Sequence, residues 1–298
     1  MSKNATSGEM QELRQLLEFM TERQHVWRRR FVEDQKPPWT DDPILQEYHL
    51  CNVYRELDYG TQFLQDEILG QEDDREVLFN VLLYRFFNRP KTYLRIGGFQ
   101  SPDEFQPEQT AHDLLVLDDP LFSSAYRVTT QKWAGADTKA ENILLGILRD
   151  DVLANLDDYT DRILNADTME TAFDVLTEIR GVGDFLAYEI VTDLNYDLLP
   201  FHENDFVNIG PGAQSGITYV FQEKPDPGQI YWLTLNQGQL FDSFDLEFPY
   251  WEDKPLTARC FEHSMCEFSK YVDLKYNQVD RRLFEPRDYG QRRFDDYD

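Results

Sequence analysis

The stretch Leu176-Thr-Glu-Ile-Arg-Gly-Val-Gly-Asp-Phe-Leu-Ala-Tyr-Glu-Ile190 decides how the chain is read. An apolar residue, Ile179, precedes Gly181-Val-Gly183, and a helical period with the small Ala187 follows. Two glycines one residue apart permit a tight turn that leaves backbone N–H groups pointing outward at the start of the next helix. That geometry suits one DNA phosphate, held at Gly181, Val182 and Gly183 by amides and a helix dipole, with no need for net positive charge. An ordinary helix–helix corner with glycine at a helix end fits the same glycines. The flanking apolar pattern favours a helix-hairpin-helix DNA-binding element at Ile179–Asp193.

Working outward, the helical period dominates the chain. It predicts a helix over Glu9–Phe31 and a second that starts behind Thr40–Asp42, with Pro43 at its first position, and runs to about Leu69. Asp73–Asp74 open a third, strongly apolar helix that stops near Pro90. Gly97–Gly98, Pro102, Pro107 and Pro120 mark a looser connection. Further helices are expected at Thr138–Leu156, Thr168–Ile179, Val182–Leu194, Gln229–Phe241 and Leu256–Tyr271, with a tight loop at Gly210–Gly212. No internal repeat and no strand-period segment stands out. The expected fold is all-α, with an N-terminal helical lobe over 1–135, a hairpin-bearing lobe over 136–280 and a tail over 281–298.

Composition sets outer bounds. A chain of 298 residues with 41% hydrophobic and 14% aromatic residues can bury a core. No window approaches the roughly 20 apolar residues of a membrane span, and Met1–Thr6 has no apolar signal region. Cys51, Cys260 and Cys266 are too scattered for a disulfide framework. The expectation is a cytoplasmic, DNA-associated protein with no membrane partner. Its net charge of −27 opposes DNA at low salt. The acid is dispersed, in pairs such as Asp41–Asp42, Asp118–Asp119, Asp150–Asp151 and Asp157–Asp158, and Arg greatly outnumbers Lys. This pattern reads as adaptation to high salt, where screening shortens repulsion to a few ångströms.

Ile179–Asp205 resembles the core of the helix-hairpin-helix DNA glycosylase superfamily, in which a catalytic aspartate follows the Gly-Val-Gly. In His202-Glu203-Asn204-Asp205-Phe206-Val207, either Asp205 or Glu203 occupies its place. Phe185 stands where lyase-type members carry lysine, so Schiff-base chemistry is not supported. The four-cysteine iron–sulfur loop of some members is also missing.

A wider resemblance rests on Trp39-Thr-Asp-Asp-Pro-Ile-Leu-Gln-Glu-Tyr48, Cys51-Asn-Val-Tyr-Arg-Glu-Leu-Asp58 and Tyr84-Arg-Phe-Phe-Asn-Arg89. Asn204-Asp-Phe-Val-Asn-Ile-Gly-Pro-Gly-Ala213 and Cys266-Glu-Phe-Ser-Lys-Tyr271 complete it. The chain is similar to the helical domain associated with 5-hydroxymethyluracil DNA kinases, also named the α-glutamyl/putrescinyl thymine pyrophosphorylase family. That resemblance implies thymine hypermodification: an amine or amino acid displaces phosphate or pyrophosphate from an activated, extruded 5-hydroxymethyluracil in duplex DNA. A monofunctional glycosylase and a non-catalytic DNA-binding partner of a kinase are the alternatives. No G-x-x-x-x-G-K-[ST] occurs in the sequence, so a separate P-loop kinase is the expected partner.

The candidate residues follow from these needs. Asp205 or Glu203 would act on the amine, and Gly210, Gly212 and Ala213 would cradle the leaving phosphate, although their glycine-rich run is equally a turn. Arg55, Arg85 and Arg89 suit bidentate phosphate contact or internal ion pairs with carboxylates such as Glu56 or Asp58. Asn88 would read a base edge or cap a helix. Glu267 and Lys270 share a helical face, as an ion pair or as catalytic groups, and the resemblance raises both. Tyr126, Trp133 and Tyr188 are candidates for stacking on a base, or core. No cofactor is expected. No metal is expected either, since Cys260, His263 and Cys266 lack a fourth ligand.

One prediction follows from the charge. Structure should be gained as molar KCl screens self-repulsion, with a Debye length of about 3 Å at 1 M. A circular-dichroism melt that is flat from dilute buffer to molar salt would remove the high-salt reading.

Overall fold

Helix starts in this chain are written by prolines and by acidic or hydroxyl caps. The structure, a computed structural model, describes residues 7–116, 119–123, 131–277 and 279. Asp118, Tyr126 and the tail 281–298 lie outside the described residues. After α1 (Ser7–Phe31), the Asp42 carboxylate accepts the amides of Ile44 and Leu45 and opens α2 (Pro43–Glu47). A 3-10 turn at Arg55–Leu57 precedes α3 (Tyr59–Glu67). Asp73 caps α4 (Asp74–Phe87), and prolines start α5 (Pro90–Ile96) and α6 (Pro107–Leu115). Thr138 and Glu141 form a capping box at α7 (Lys139–Glu141). The helix continues through a π-type stretch, Asn142–Val152, into α8 (Leu153–Leu164). Thr168 caps α9 (Met169–Thr177), and Gly183 stands at the start of α10 (Asp184–Leu194). Then come α11 (Pro211–Phe221), α12 (Pro227–Ser243) behind Asp226, and α13 (Ala258–Val272) behind Thr257. Each capping side chain satisfies a first-turn amide that has no partner within the helix. No strand occurs among the described residues, and the all-α class holds.

The chain divides into two compact units. One is built from Met1–Asp58 and Val207–Gly290, the other on Tyr59–Phe206. This partition is discontinuous, unlike the sequential lobes 1–135 and 136–280. Each unit has its own core. In the first, Leu13, Leu16 and Leu17 of α1 belong with Ile217 of α11 and Phe261 and Phe268 of α13. In the second, Val77, Leu82 and Phe86 of α4 belong with Ile147 and with Ile190 and Val191 of α10.

The structure departs from the sequence expectations in three places. The helix expected from Pro43 to Leu69 breaks after Glu47 and re-forms only at Tyr59. The connection rich in Gly and Pro holds two helices, because Pro90 and Pro107 sit at first helical positions where a missing N–H does no harm. Gly210–Gly212 is not a loop but the first turn of α11.

The α11 glycines serve packing. A Cβ on Gly212 would lie 2.4 Å from Cys266 Sγ, and one on Gly216 would lie 2.3 Å from the Met265 carbonyl oxygen. Four residues apart on one face, they let α11 lie against the α13 backbone. Gly238 of α12 has nothing within 4 Å of such a Cβ. Gly216→Ala should therefore lower stability by about 1–3 kcal/mol through overpacking. Gly238→Ala should raise it by about 0.5–1 kcal/mol through helix propensity. Urea denaturation separates the two signs, and the same sign for both would remove the packing account.

Candidate functional site

In the second unit α9 and α10 flank a glycine turn at Gly181–Gly183. Gly181 has φ +77°, the left-handed conformation that glycine adopts without strain, while Gly183 is extended at φ −95°. Val182 is buried under the turn. The amide of Arg180 donates to Asp151 Oδ2 at 2.8 Å, and Arg180 Nη1 donates to the Gly146 carbonyl at 3.3 Å. The π-type stretch thus fixes the approach to the hairpin. Gly146 is small because Trp133 lies beside it, 2.6 Å from where a Cβ would stand. Among the candidate stacking residues, Trp133 is half-buried there, whereas Tyr188 is core, edge-on to Phe206.

Asp205 lies on an exposed turn beyond α10. Its amide donates to the His202 carbonyl at 2.8 Å, and its Oδ2 accepts the His202 amide at 2.8 Å. Glu203 is half-buried in the same turn. The carboxylate of Asp205 is thereby held in place while remaining at the surface.

The arginines of α4 take the structural alternative. Arg85 is 1% exposed and holds Asp193 of α10 with Nε and Nη2, so it ties the two helices together rather than presenting charge. Asn88 ends α4 in the left-handed conformation, accepts from Arg85 Nη1 at 3.0 Å and donates to Ser123 Oγ at 3.2 Å. Arg89 is half-buried at the start of α5.

In the first unit Glu267 and Lys270 do more than pair with each other. Glu267 is 3% exposed, binds Lys270 through Oε1 and accepts the Cys51 amide on Oε2 at 3.0 Å. Arg23 Nε reaches the carbonyls of Leu50 and Cys51 at 3.1 and 3.0 Å. Asp58 Oδ1 accepts the Asn52 amide at 2.9 Å and its Nδ2 at 3.0 Å, and Oδ2 accepts Arg55 Nη1 at 3.1 Å. Arg55 is thus an internal ion-pair partner. Cys51, Asp58 and His263 bring a thiol, a carboxylate and an imidazole within 4.8 Å of one another. Burial alone would raise the Asp58 carboxyl, but His263 and Arg55 outweigh it and hold it at about 2. Burial likewise opposes the charge on Glu267, and Lys270 and His263 win. Burial pushes the Cys51 thiol up, reinforced by Asp58 and Glu267. The Arg55–Asp58 pair is one the sequence offered, but nothing in the spacing of Cys51 and Asp58 signals the turn that brings both to His263.

Lys270 also lines an open cleft of about 460 Å³, with Pro211, Gly212, Ser215, Ser269 and Asp273. The start of α11 and one lysine therefore share a surface. The amide of Gly210 donates to buried Glu262 at 3.3 Å, and Ala213 is fully buried. Of the three residues expected to cradle phosphate, Gly212 alone borders the cleft.

The family described as 5-hmdU DNA kinase, helical domain, matches residues 11–281. A 5-hmdU DNA kinase of Bacillus phage SP10 is 32% identical over 282 residues, covering 85% of this chain and 44% of that protein. The chain thus spans less than half the length of that relative. No solved structure matches.

The hairpin gives a clean test. A Cβ on Gly183 meets nothing within 4 Å and its backbone is open to any residue, so Gly183→Val should fold with unchanged cooperativity. If the hairpin amides hold a phosphate, duplex binding should fall at least tenfold, and the wild type should show a shallow salt slope. Unchanged affinity in the folded variant would refute the DNA-anchor role.

Proposed function

This chain belongs to the family of 5-hmdU DNA kinase helical domains, and from that membership we propose that it transfers an amine or amino acid onto phosphate-activated 5-hydroxymethyluracil in DNA. The observation that carries the reading is the cleft where Lys270 and the start of α11 meet in a family tied by name to 5-hmdU phosphorylation. A phosphorylated base brings an anion, and an ammonium beside first-turn amides is a suitable receiver for it. Burial opposes the Lys270 charge, but Glu267 raises its pKa above the usual range, so it stays cationic at neutral pH. The hairpin would anchor duplex backbone. Asp205, exposed on its tied turn, would orient or deprotonate the amine.

The step itself is a displacement at the exocyclic methylene carbon. A carbon–nitrogen bond forms from the amine lone pair, and the carbon–oxygen bond to phosphate breaks with its electrons leaving on oxygen. The surplus amine proton passes to a carboxylate. Lys270 favours departure by neutralising charge that grows on the leaving oxygen. Phosphorylation itself is assigned to a P-loop kinase and not to these residues, which contain no G-x-x-x-x-G-K-[ST] motif.

The glycosylase alternative draws on the position of Asp205 after the hairpin, and the products separate the two. DNA bearing the pyrophosphorylated base is incubated with the protein and a panel of amines at molar salt. Transfer yields a heavier nucleoside with the glycosidic bond intact, and Asp205→Asn should abolish it. Lys270→Met should weaken binding of the activated DNA roughly ten- to a hundredfold, the scale of a charge-assisted contact, while leaving unmodified duplex binding alone. Alkali-labile breaks without a heavier nucleoside would sink the transfer reading. Full product formation by Asp205→Asn would sink the assignment of that residue.

A further inference from the structure

The transfer reading leaves Cys51, Asp58 and His263 without a task. We propose that these three side chains form a site for one divalent transition-metal ion of the zinc class. Their donor atoms converge within 4.8 Å although Cys51 and Asp58 come from the irregular segment after α2 and His263 comes from α13. Convergence of a thiol, an imidazole and a carboxylate across that separation in sequence is not needed for packing. Asp58 also serves the Asn52 amide and Arg55, but neither role calls for a thiol and an imidazole beside it.

Chemistry narrows the ion. Thiolate and imidazole select borderline metals such as zinc or cobalt, whereas magnesium and calcium take oxygen donors. The thiolate and the carboxylate supply two anionic donors, set among Arg55 on Asp58, Arg23 on the Cys51 carbonyl and the Glu267–Lys270 pair. Three protein donors leave a coordination position for an exchangeable oxygen ligand.

An independent observation comes from His263. The residue is 9% exposed, and its Nε2 is sealed from solvent without a hydrogen bond of acceptable geometry, 3.5 Å from Asp58 Oδ2. The long contact to Asp58 leaves this nitrogen poorly satisfied, and coordination would serve it better. The surroundings are built to aim the other two donors. Asn52 and Arg55 fix the Asp58 carboxylate, and Glu267 and Arg23 fix the Cys51 backbone from either side. Ligands held by such outer hydrogen bonds need little reorganisation when the ion enters. His263 does not share its site with Cys260 or Cys266. Cys260 is buried beside Thr257, and Cys266 faces Gly212.

The proposal stands independently of the transfer reaction and is tested without it. Full-length protein is purified without added metal or chelator and its metal content measured. Chelator-treated protein is then titrated with zinc and with cobalt. One equivalent of either should bind and raise the melting temperature. The cobalt form should show a near-ultraviolet thiolate-to-cobalt charge-transfer band. Cys51→Ser should abolish that band, and His263→Gln should weaken cobalt binding roughly a hundredfold. Cys266→Ser should change neither. Circular dichroism checks that each variant is folded. Failure of the folded wild type to bind an equivalent of metal would overturn the site, whatever the variants do. A charge-transfer band that survives Cys51→Ser, or that is lost with Cys266→Ser, would overturn the ligand assignment.

Discussion

The Glu267 carboxylate sets the polar register of a helix and a loop that already share an apolar core. One oxygen takes the Cys51 amide and the other takes Lys270. Cys51 therefore has its backbone partner on α13 and not on its own preceding turn. Arg23 does the same from α1, taking the carbonyls of Leu50 and Cys51, and Asp58 takes the Asn52 amide. Three side chains replace the hydrogen bonds that a continuous helix would have made across this segment. A buried backbone group left unpaired costs about 1–3 kcal/mol, so the break after α2 persists because these polar partners are in place. The Cys51–Asp58–His263 cluster exists only as a consequence of that exchange.

The same exchange explains what could and could not be read from the sequence. Helices with strong periodicity and local caps were legible: α1, α4 behind Asp73, α10 and α13 lie where apolar spacing and capping residues put them. The turn between α9 and α10 was legible because its glycines act locally, Gly181 by its positive φ. The break within 43–69 was not, since the residues that cause it, Arg23 and Glu267, are distant in sequence. The glycines of Gly210–Gly216 read as a loop because a close helix approach and a flexible turn demand the same residue. The contact of Gly216 with the Met265 carbonyl decides between them, and only the folded chain shows it. Arg85 and Asn88 read as binding groups for a similar reason, as their partners Asp193 and Ser123 were not visible in the local pattern.

The acidic charge finds a partial physical account in the structure. Some of the carboxylates are structural and not surface ornament. Asp42, Asp73 and Asp226 cap helices, and Asp151 holds the Arg180 amide. Cations are met by several acids at once: Arg75 by Asp103 and Asp157, Arg149 by Glu108 and Asp150, and Arg162 by Asp158 and Glu178. Such exposed pairs contribute little to stability, about 0–1 kcal/mol each. Their effect is to leave these arginines poorly placed to gather phosphates.

That arithmetic favours a backbone-based contact with DNA over a basic patch. Under the proposed reading a duplex would gain little from arginines already neutralised by neighbours, so affinity would have to come from groups that carry partial positive charge without being ions. Amides at a glycine turn are such groups, and their strength depends on direction more than on net charge. Direction in turn requires a fixed turn. The second unit supplies this from both sides: Asp151 and the Gly146 carbonyl hold Arg180 ahead of Gly181, and the Arg85–Asp193 pair holds α10 behind Gly183. If the glycine turn meets DNA, as proposed, the buried ion pair that occupies Arg85 would serve that contact indirectly, by keeping α10 in one position.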